Sequence, residues 1–404
     1  MAAPARHGRL WELDALRGLM LVLMLSTHLP TQFAIPTGQP FGFVSAAEGF
    51  VMLSAYMAGR IYTQYGLRDG IPAMRRAFLR RALVIYLCQA ASLLFLFTII
   101  AALGITFDHP AARNLMSFYL AEPFTALWAG LLLIYNPPLL DILPLYVTFM
   151  LLSPWVLAHA MQRGWRGTMI ASGVLWLASQ FGISELLYQG LAQLTGLPVP
   201  WRETGAFETF AWQLLWVLGL WLGSTHASGR QVTFPPWTVG VALVVAPFYF
   251  VWRHLTGQEP FELGDPVNLL FDKWRLGPMR LLDFFALLVL VVRFAPWMRG
   301  HVPRIHALET LGAASLPVFC AHLVVVLLAL ALMGEAEPTR PLWIDLAMFG
   351  ASLLLMWLVA KVTLAAPERG RRAKARAARP RGAEEGLPPA APAPPPCLRE
   401  GARK

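Results

Sequence analysis

The stretch DALRGLMLVLMLSTH, residues 14–28, sets an aspartate, an arginine and a histidine into an otherwise apolar run. Read as a helix, Arg17 and His28 are eleven residues apart and point within about 20° of the same direction. Asp14 falls within about 60° of both, so the three share one face. About 16 Å of helix axis separates Arg17 from His28, roughly half the thickness of a membrane's hydrocarbon core. A neutral imidazole at His28 can take a proton from a hydroxyl as that hydroxyl attacks an acyl carbonyl. A carboxylate on the other ring nitrogen, from Glu48 or Asp14, would orient the ring and stabilise the imidazolium.

Further ionisable residues sit in apolar surroundings. They are Glu48 in SAAEGFVMLSAYMAGR, Asp141 in DILPLY, Asp283 in RLLDFFALL, and His322 in SLPVFCAH. Each is costly inside a membrane, at about 2.5–3.5 kcal/mol near the centre of a helix, and therefore calls for a use. Arg75, Arg76, Arg80 and Arg81 form a basic cluster suited to the phosphates of a large anionic donor. Plainer readings exist for most of them. Asp14 and Arg17 suit an i,i+3 ion pair, the four arginines a topology signal, Asp141 a helix cap, and His322 a hydrogen bond between helices. His28 and Glu48 resist such readings. No HExxH, GxSxG or glycine-rich phosphate loop occurs, so no metal and no bound cofactor are expected.

The elements that must position these residues are membrane helices. Of the 404 residues 57% are hydrophobic and only 14% charged, with a mean hydropathy of +0.54. A soluble enzyme would carry roughly twice that charged fraction. Hydrophobic runs and Pro/Gly-rich breaks predict an all-α, polytopic protein with about ten transmembrane helices. They fall near 13–32, 43–62, 82–106, 139–160, 168–188, 207–225, 236–254, 277–296, 308–333 and 341–363. The first is read as a spanning helix and not a removable signal peptide, because Asp14 and Arg17 interrupt its apolar run.

Loop charges give the orientation. Arg6 and Arg9, then Arg68, Arg75, Arg76, Arg80 and Arg81, then Arg163 and Arg166, Arg230, and finally Arg299 and Arg304 occupy alternate connections. Basic residues collect on the cytoplasmic side, so both termini are expected there. His28, Glu48, Asp141, Asp283 and His322 then lie in the outer half, and the arginine cluster at the inner mouth. Residues 113–138 are apolar, but a full crossing there would invert every later loop; a re-entrant or interfacial segment is expected. Two units follow: a membrane domain over 1–363, and a basic, proline-rich, disordered cytoplasmic tail over 364–404. The net charge of +10 is topological and not a sign of nucleic acid binding. Cys88, Cys320 and Cys397 offer no disulfide framework.

The Arg-x10-His spacing of DALRGLMLVLMLSTH resembles the first helix of the bacterial integral-membrane acyltransferase superfamily. SAAEGFVMLSAYMAGRIY, DILPLYVTFMLLSPW, KWRLGPMRLLDFFALLVL and SLPVFCAHLVVV resemble more specifically its OpgC branch, the succinyltransferases of osmoregulated periplasmic glucans. The resemblance runs through residues 9–363 in matching order and leaves out the tail. It implies a multi-pass protein of the bacterial inner membrane, with His28 as the catalytic residue and Arg17 as its paired arginine. It further implies an acyl-CoA site at Arg75, Arg76, Arg80 and Arg81, succinyl-CoA as donor, and a periplasmic glucan as acceptor. Asp141, Asp283 and His322 would line the acceptor side. The second carboxylate of a succinyl group would need a cation, for which Arg280 and Arg275 are the candidates.

A second function class fits the same residues: an exporter of an acyl donor or lipid-linked sugar, using the buried charges as a proton relay. It is disfavoured because no internal repeat is visible. A purely structural scaffold is disfavoured by the buried charges themselves.

Overall fold

The computed structural model describes residues 11–262 and 264–377. Every regular element among them is a helix. The long ones are α1 (Trp11–His28), α2 (Ala46–Asp69), α3 (Ile71–Phe107, with a π-helical turn at Leu96–Ile100) and α4 (Ile142–Arg163). They continue with α5 (Arg166–Gln180), α6 (Ile183–Thr195), α7 (Thr209–Ala227), α8 (Pro236–Thr256) and α9 (Pro278–His301). The last are α10 (His306–Ala313), α11 (Ser315–Met333) and α12 (Leu342–Ala377).

Six of these are long and apolar enough to cross a membrane: α3, α4, α8, α9, α11 and α12. The pair α5 and α6, bent by 78°, passes the same test together. α1, α2 and α7 carry too many polar or charged side chains to pass. Glu12, Asp14 and Arg17 fall in α1, and Glu48, Arg60, Arg68 and Asp69 in α2. These helices are held inside the bundle. Gly59 of α2 faces the backbone of Leu220 on α7, and Gly223 of α7 faces the backbone of Tyr56 on α2, so closely that a Cβ on either would overlap it. Small residues at such crossings let helices approach within backbone contact. The same device joins α1 to α10, where Gly18 lies against Leu308 and Gly312 against Asp14.

Residues 110–131 form three short helices, Pro110–Leu115, Ser117–Ala121 and Pro123–Leu131. The longest rises about 14 Å, well short of a bilayer core of about 30 Å. Their buried side chains, including Ala112, Met116 and Ala126, pack with Leu93, Phe97 and Ile100 of α3 and Leu327 of α11. Cys88 on α3 and Cys320 on α11, distant in sequence, are free thiols that interact with each other.

The chain divides into two units, one ending at Lys361 and one beginning at Val362. Where a disordered tail is expected from residue 364, the helix α12 continues to Ala377. The rest of that expected tail, 378–404, and the basic residues Arg6 and Arg9 lie outside the described residues.

Gly223→Ala should destabilise the fold by about 1–3 kcal/mol through overpacking. Gly240→Ala on α8, where a Cβ meets nothing within 4 Å, should leave stability unchanged or slightly raised. Thermal unfolding of the detergent-solubilised variants checks both.

Candidate active site

α1 is one unbroken helix, so Arg17 and His28 sit at opposite ends of its polar face. At the His28 end, His28 Nδ1 is 3.2 Å from Nε2 of His322 on α11, with ring centroids 5.3 Å apart. His322 is fully buried, whereas His28 keeps part of its surface accessible. At the other end, the guanidinium of Arg17 donates to Ser315 Oγ on α11 at 2.5 Å. The glycine contact between α1 and α10 brings α11 alongside, since α11 follows α10 after one residue.

Glu48 opens α2. Ser45 caps that helix, its hydroxyl accepting from Ala47 N–H, while Glu48 Oε2 accepts from Ser45 N–H at 3.1 Å and from Ser45 Oγ at 2.5 Å. This reciprocal arrangement is a capping box. The other carboxylate oxygen accepts from Arg280 Nε of α9 at 2.5 Å, with Glu48 0% and Arg280 1% exposed. One turn on, Asp283 Oδ2 accepts from Phe43 N–H at 2.8 Å. Gly42, at φ +107°, brings its backbone so close to that carboxylate that a Cβ would overlap it.

Neither carboxylate proposed from sequence to orient His28 stands at its ring. Glu48 has one oxygen on Arg280 and the other on Ser45. Asp14 is buried fourteen residues earlier on the same helix, about 21 Å along the axis and out of hydrogen-bond reach. The ring partner of His28 is His322.

The remaining residues divide between the two ends. Asp141, just before α4, is buried, and its Oδ2 accepts from Ala206 N–H at 3.1 Å instead of capping its own helix. Lys273, in the segment before α9, interacts electrostatically with Glu48, Arg280 and Asp141. Burial holds its ammonium below the usual lysine range, with Glu48 and Asp141 opposing that and Arg280 adding to it. Lys273 also reaches His28 electrostatically. It was not singled out from sequence, where it reads as an ordinary loop charge.

At the Arg17 end, a small cavity is lined by Arg17, Ser54, Arg81, Tyr146, Ser315 and Phe319, among others. Phe319 also packs against His322, ring centroids 5.4 Å apart, so one residue lines this cavity and touches the histidine pair. Of the four clustered arginines, the structure brings only Arg81 to this cavity. Arg75, Arg76 and Arg80 lie exposed on the first turns of α3. Arg275 lies apart, beside Gln180 and Glu185 in an open recess at the α5–α6 bend.

A family model described as OpgC protein matches residues 9–366. The chain belongs to the OpgC family. Membership in this family suggests an acyltransferase role in glucan modification, and with the apolar helices it makes the chain a multi-pass membrane protein. Neither the search of curated proteins nor that of solved structures found a match.

Removing one partner of a buried ion pair strands the other charge and costs about 3–5 kcal/mol, while removing both costs far less. Glu48→Ala should therefore lower the unfolding midpoint more than Glu48→Ala combined with Arg280→Met. A double-mutant cycle on thermal unfolding checks this.

Proposed function

We propose that this OpgC family member is an inner-membrane O-acyltransferase. It moves an acyl group, succinyl by family resemblance, from cytoplasmic acyl-CoA to a hydroxyl of a periplasmic glucan. The observation that carries this reading is the His28–His322 pair, with one ring buried and its partner still accessible.

The backbones of Met24 and Phe319 interact with the His322 ring, and its Nε2 faces His28 Nδ1. With the His322 proton on Nδ1, Nε2 is the acceptor, so His28 donates from Nδ1 and keeps a lone pair on Nε2. That lone pair takes the proton of the acceptor hydroxyl as its oxygen bonds to the thioester carbonyl carbon. The tetrahedral adduct then expels the CoA sulfur, which leaves as the thiol with the proton held by His28. His322 takes the orienting role that a carboxylate has in other triads. Burial keeps bulk water from the thioester, which would otherwise be hydrolysed.

Arg17 and Arg81, in one cavity, would meet the donor's phosphates, with Arg75, Arg76 and Arg80 drawing the anionic donor from the surface of the cytoplasmic leaflet. On a reading with ten crossings and both termini in the cytoplasm, this cavity opens to the donor side and His28 lies toward the periplasm. On this reading α1, α2 and α7 cross as interior helices, α5 and α6 cross as one bent span, and α10 and α11 as one broken at Ala314. Asp141 and Asp283 lie on the acceptor side, where carboxylates suit sugar hydroxyls.

Mass spectrometry of periplasmic glycans from cells with and without the gene should show succinyl increments only when the gene is present. His28→Ala should remove them while the protein still inserts, a fall of about 10²–10⁴ in rate. His322→Gln should lower transfer less. Undiminished substitution in His28→Ala would end the assignment of His28 as base.

A further inference from the structure

His28 is the last residue of α1, where a helix runs out of internal hydrogen bonds and frays unless the chain beyond it is held. Two buried residues of opposite charge supply that hold. Arg340, just before α12, donates from Nη1 to Pro30 O at 2.8 Å. Asp345, in the first turn of α12, accepts from Gln32 N–H at 2.9 Å. The Gln32 side chain returns the contact, its Nε2 donating to Arg340 O at 2.8 Å. Phe33 then packs on Phe349 of α12, ring centroids 6.0 Å apart.

The same guanidinium also holds α11. Its Nη2 donates to Glu335 O at 3.0 Å and to Met333 O at 3.3 Å, and Met333 is the last residue of that helix. One side chain thus joins the chain two residues past His28 to the end of the helix that carries His322. Asp345 Oδ1 lies 3.5 Å from Nη1, so the charge is matched within the protein. Arginine suits the place because its donors diverge from one rigid plane, whereas lysine offers a point charge on a flexible stem. The histidine pair is sensitive to this hold. Its 3.2 Å separation is at the long end of a hydrogen bond, and a slide of about 1 Å between α1 and α11 would break it. The other tie between these helices, Arg17 to Ser315, lies eleven residues before His28 and leaves that end of α1 to Arg340 and Asp345.

We propose that Arg340 and Asp345 are positioning residues for the transfer. They lock the end of α1 against the end of α11 and so keep His28 within hydrogen-bond reach of His322. Their effect on the reaction passes through that pair. This inference rests on the acyl-transfer reading above and adds the residues that hold its base in place.

The test is steady-state transfer from succinyl-CoA to glucan by the purified full-length protein in lipid vesicles. Arg340→Lys keeps a cation opposite Asp345 and loses the fork. It should lower kcat at least about tenfold, as misplaced catalytic groups do, with KM for donor and acceptor unchanged. In a His322→Gln background, where the imidazole pair is already lost, the same change should cost less than about twofold. A merely structural role would lower kcat equally in both backgrounds. That result, or an unchanged kcat in folded Arg340→Lys, overturns the proposal. If Arg340→Lys does not fold, the volume-conserving Asp345→Asn decides in the same two backgrounds: a fall in kcat confined to the one with His322 supports the proposal, and an equal fall or none overturns it. A wild type that transfers no acyl group overturns the acyl-transfer reading itself.

Discussion

A charge enclosed by protein within a membrane must be matched by another charge or by hydrogen bonds, and in this chain that demand is concentrated on Glu48 and Arg280. The two are 232 residues apart in sequence, yet both are buried. Their ion pair ties the start of α2 to the start of α9. The same carboxylate caps α2 through Ser45, so the charge pair also sets where that helix begins. Asp283, one turn further along α9, then holds the Phe43 backbone. The polar end of the bundle is thus built outward from one ion pair. In an apolar environment such a pair is weak evidence for stability and better evidence for a defined arrangement.

Beside this ion pair stands the polar face of α1. α1 and α11 run side by side, joined by His28 to His322 at one end and Arg17 to Ser315 at the other. The helices that fail a simple apolar test, α1, α2 and α7, are those packed through glycine contacts in the interior. Their polarity is the reason for their place. A helix that carries Arg17, Glu48 or His28 is buried in the bundle, whereas the more apolar α8, α9 and α12 leave most of their surface exposed.

Much of the element pattern was legible in the sequence, because hydropathy and Pro/Gly breaks are local signals. Each of the ten expected spans overlaps one helix or a broken pair, of which six helices are by themselves long and apolar enough to cross a membrane, and residues 113–138 form short helices instead of one long one. Boundaries were less legible. α3 begins at Ile71, not near residue 82, so the arginine cluster lies on the helix itself. The S-x-x-E pattern at Ser45–Glu48 was a readable capping box, and it would have given both the start of α2 and one role of Glu48. Partners were not legible. His28 meets His322, and Glu48 meets Arg280, only through the packing of helices hundreds of residues apart, which periodicity cannot reveal. The distance from Asp14 to His28 could have been read from helix rise alone. Lys273 and Ser315 carried no signal, since a loop lysine and a helix-end serine are ordinary until the fold buries or pairs them.

The central claim is that donor and acceptor meet at His28 from opposite faces of the membrane. Vesicles that carry the protein, with glucan sealed inside and labelled succinyl-CoA supplied outside, test it most directly. Label esterified to the enclosed glucan, and lost with His28→Ala, is the predicted result. Free labelled donor accumulating inside without any ester would contradict it, and would point to export.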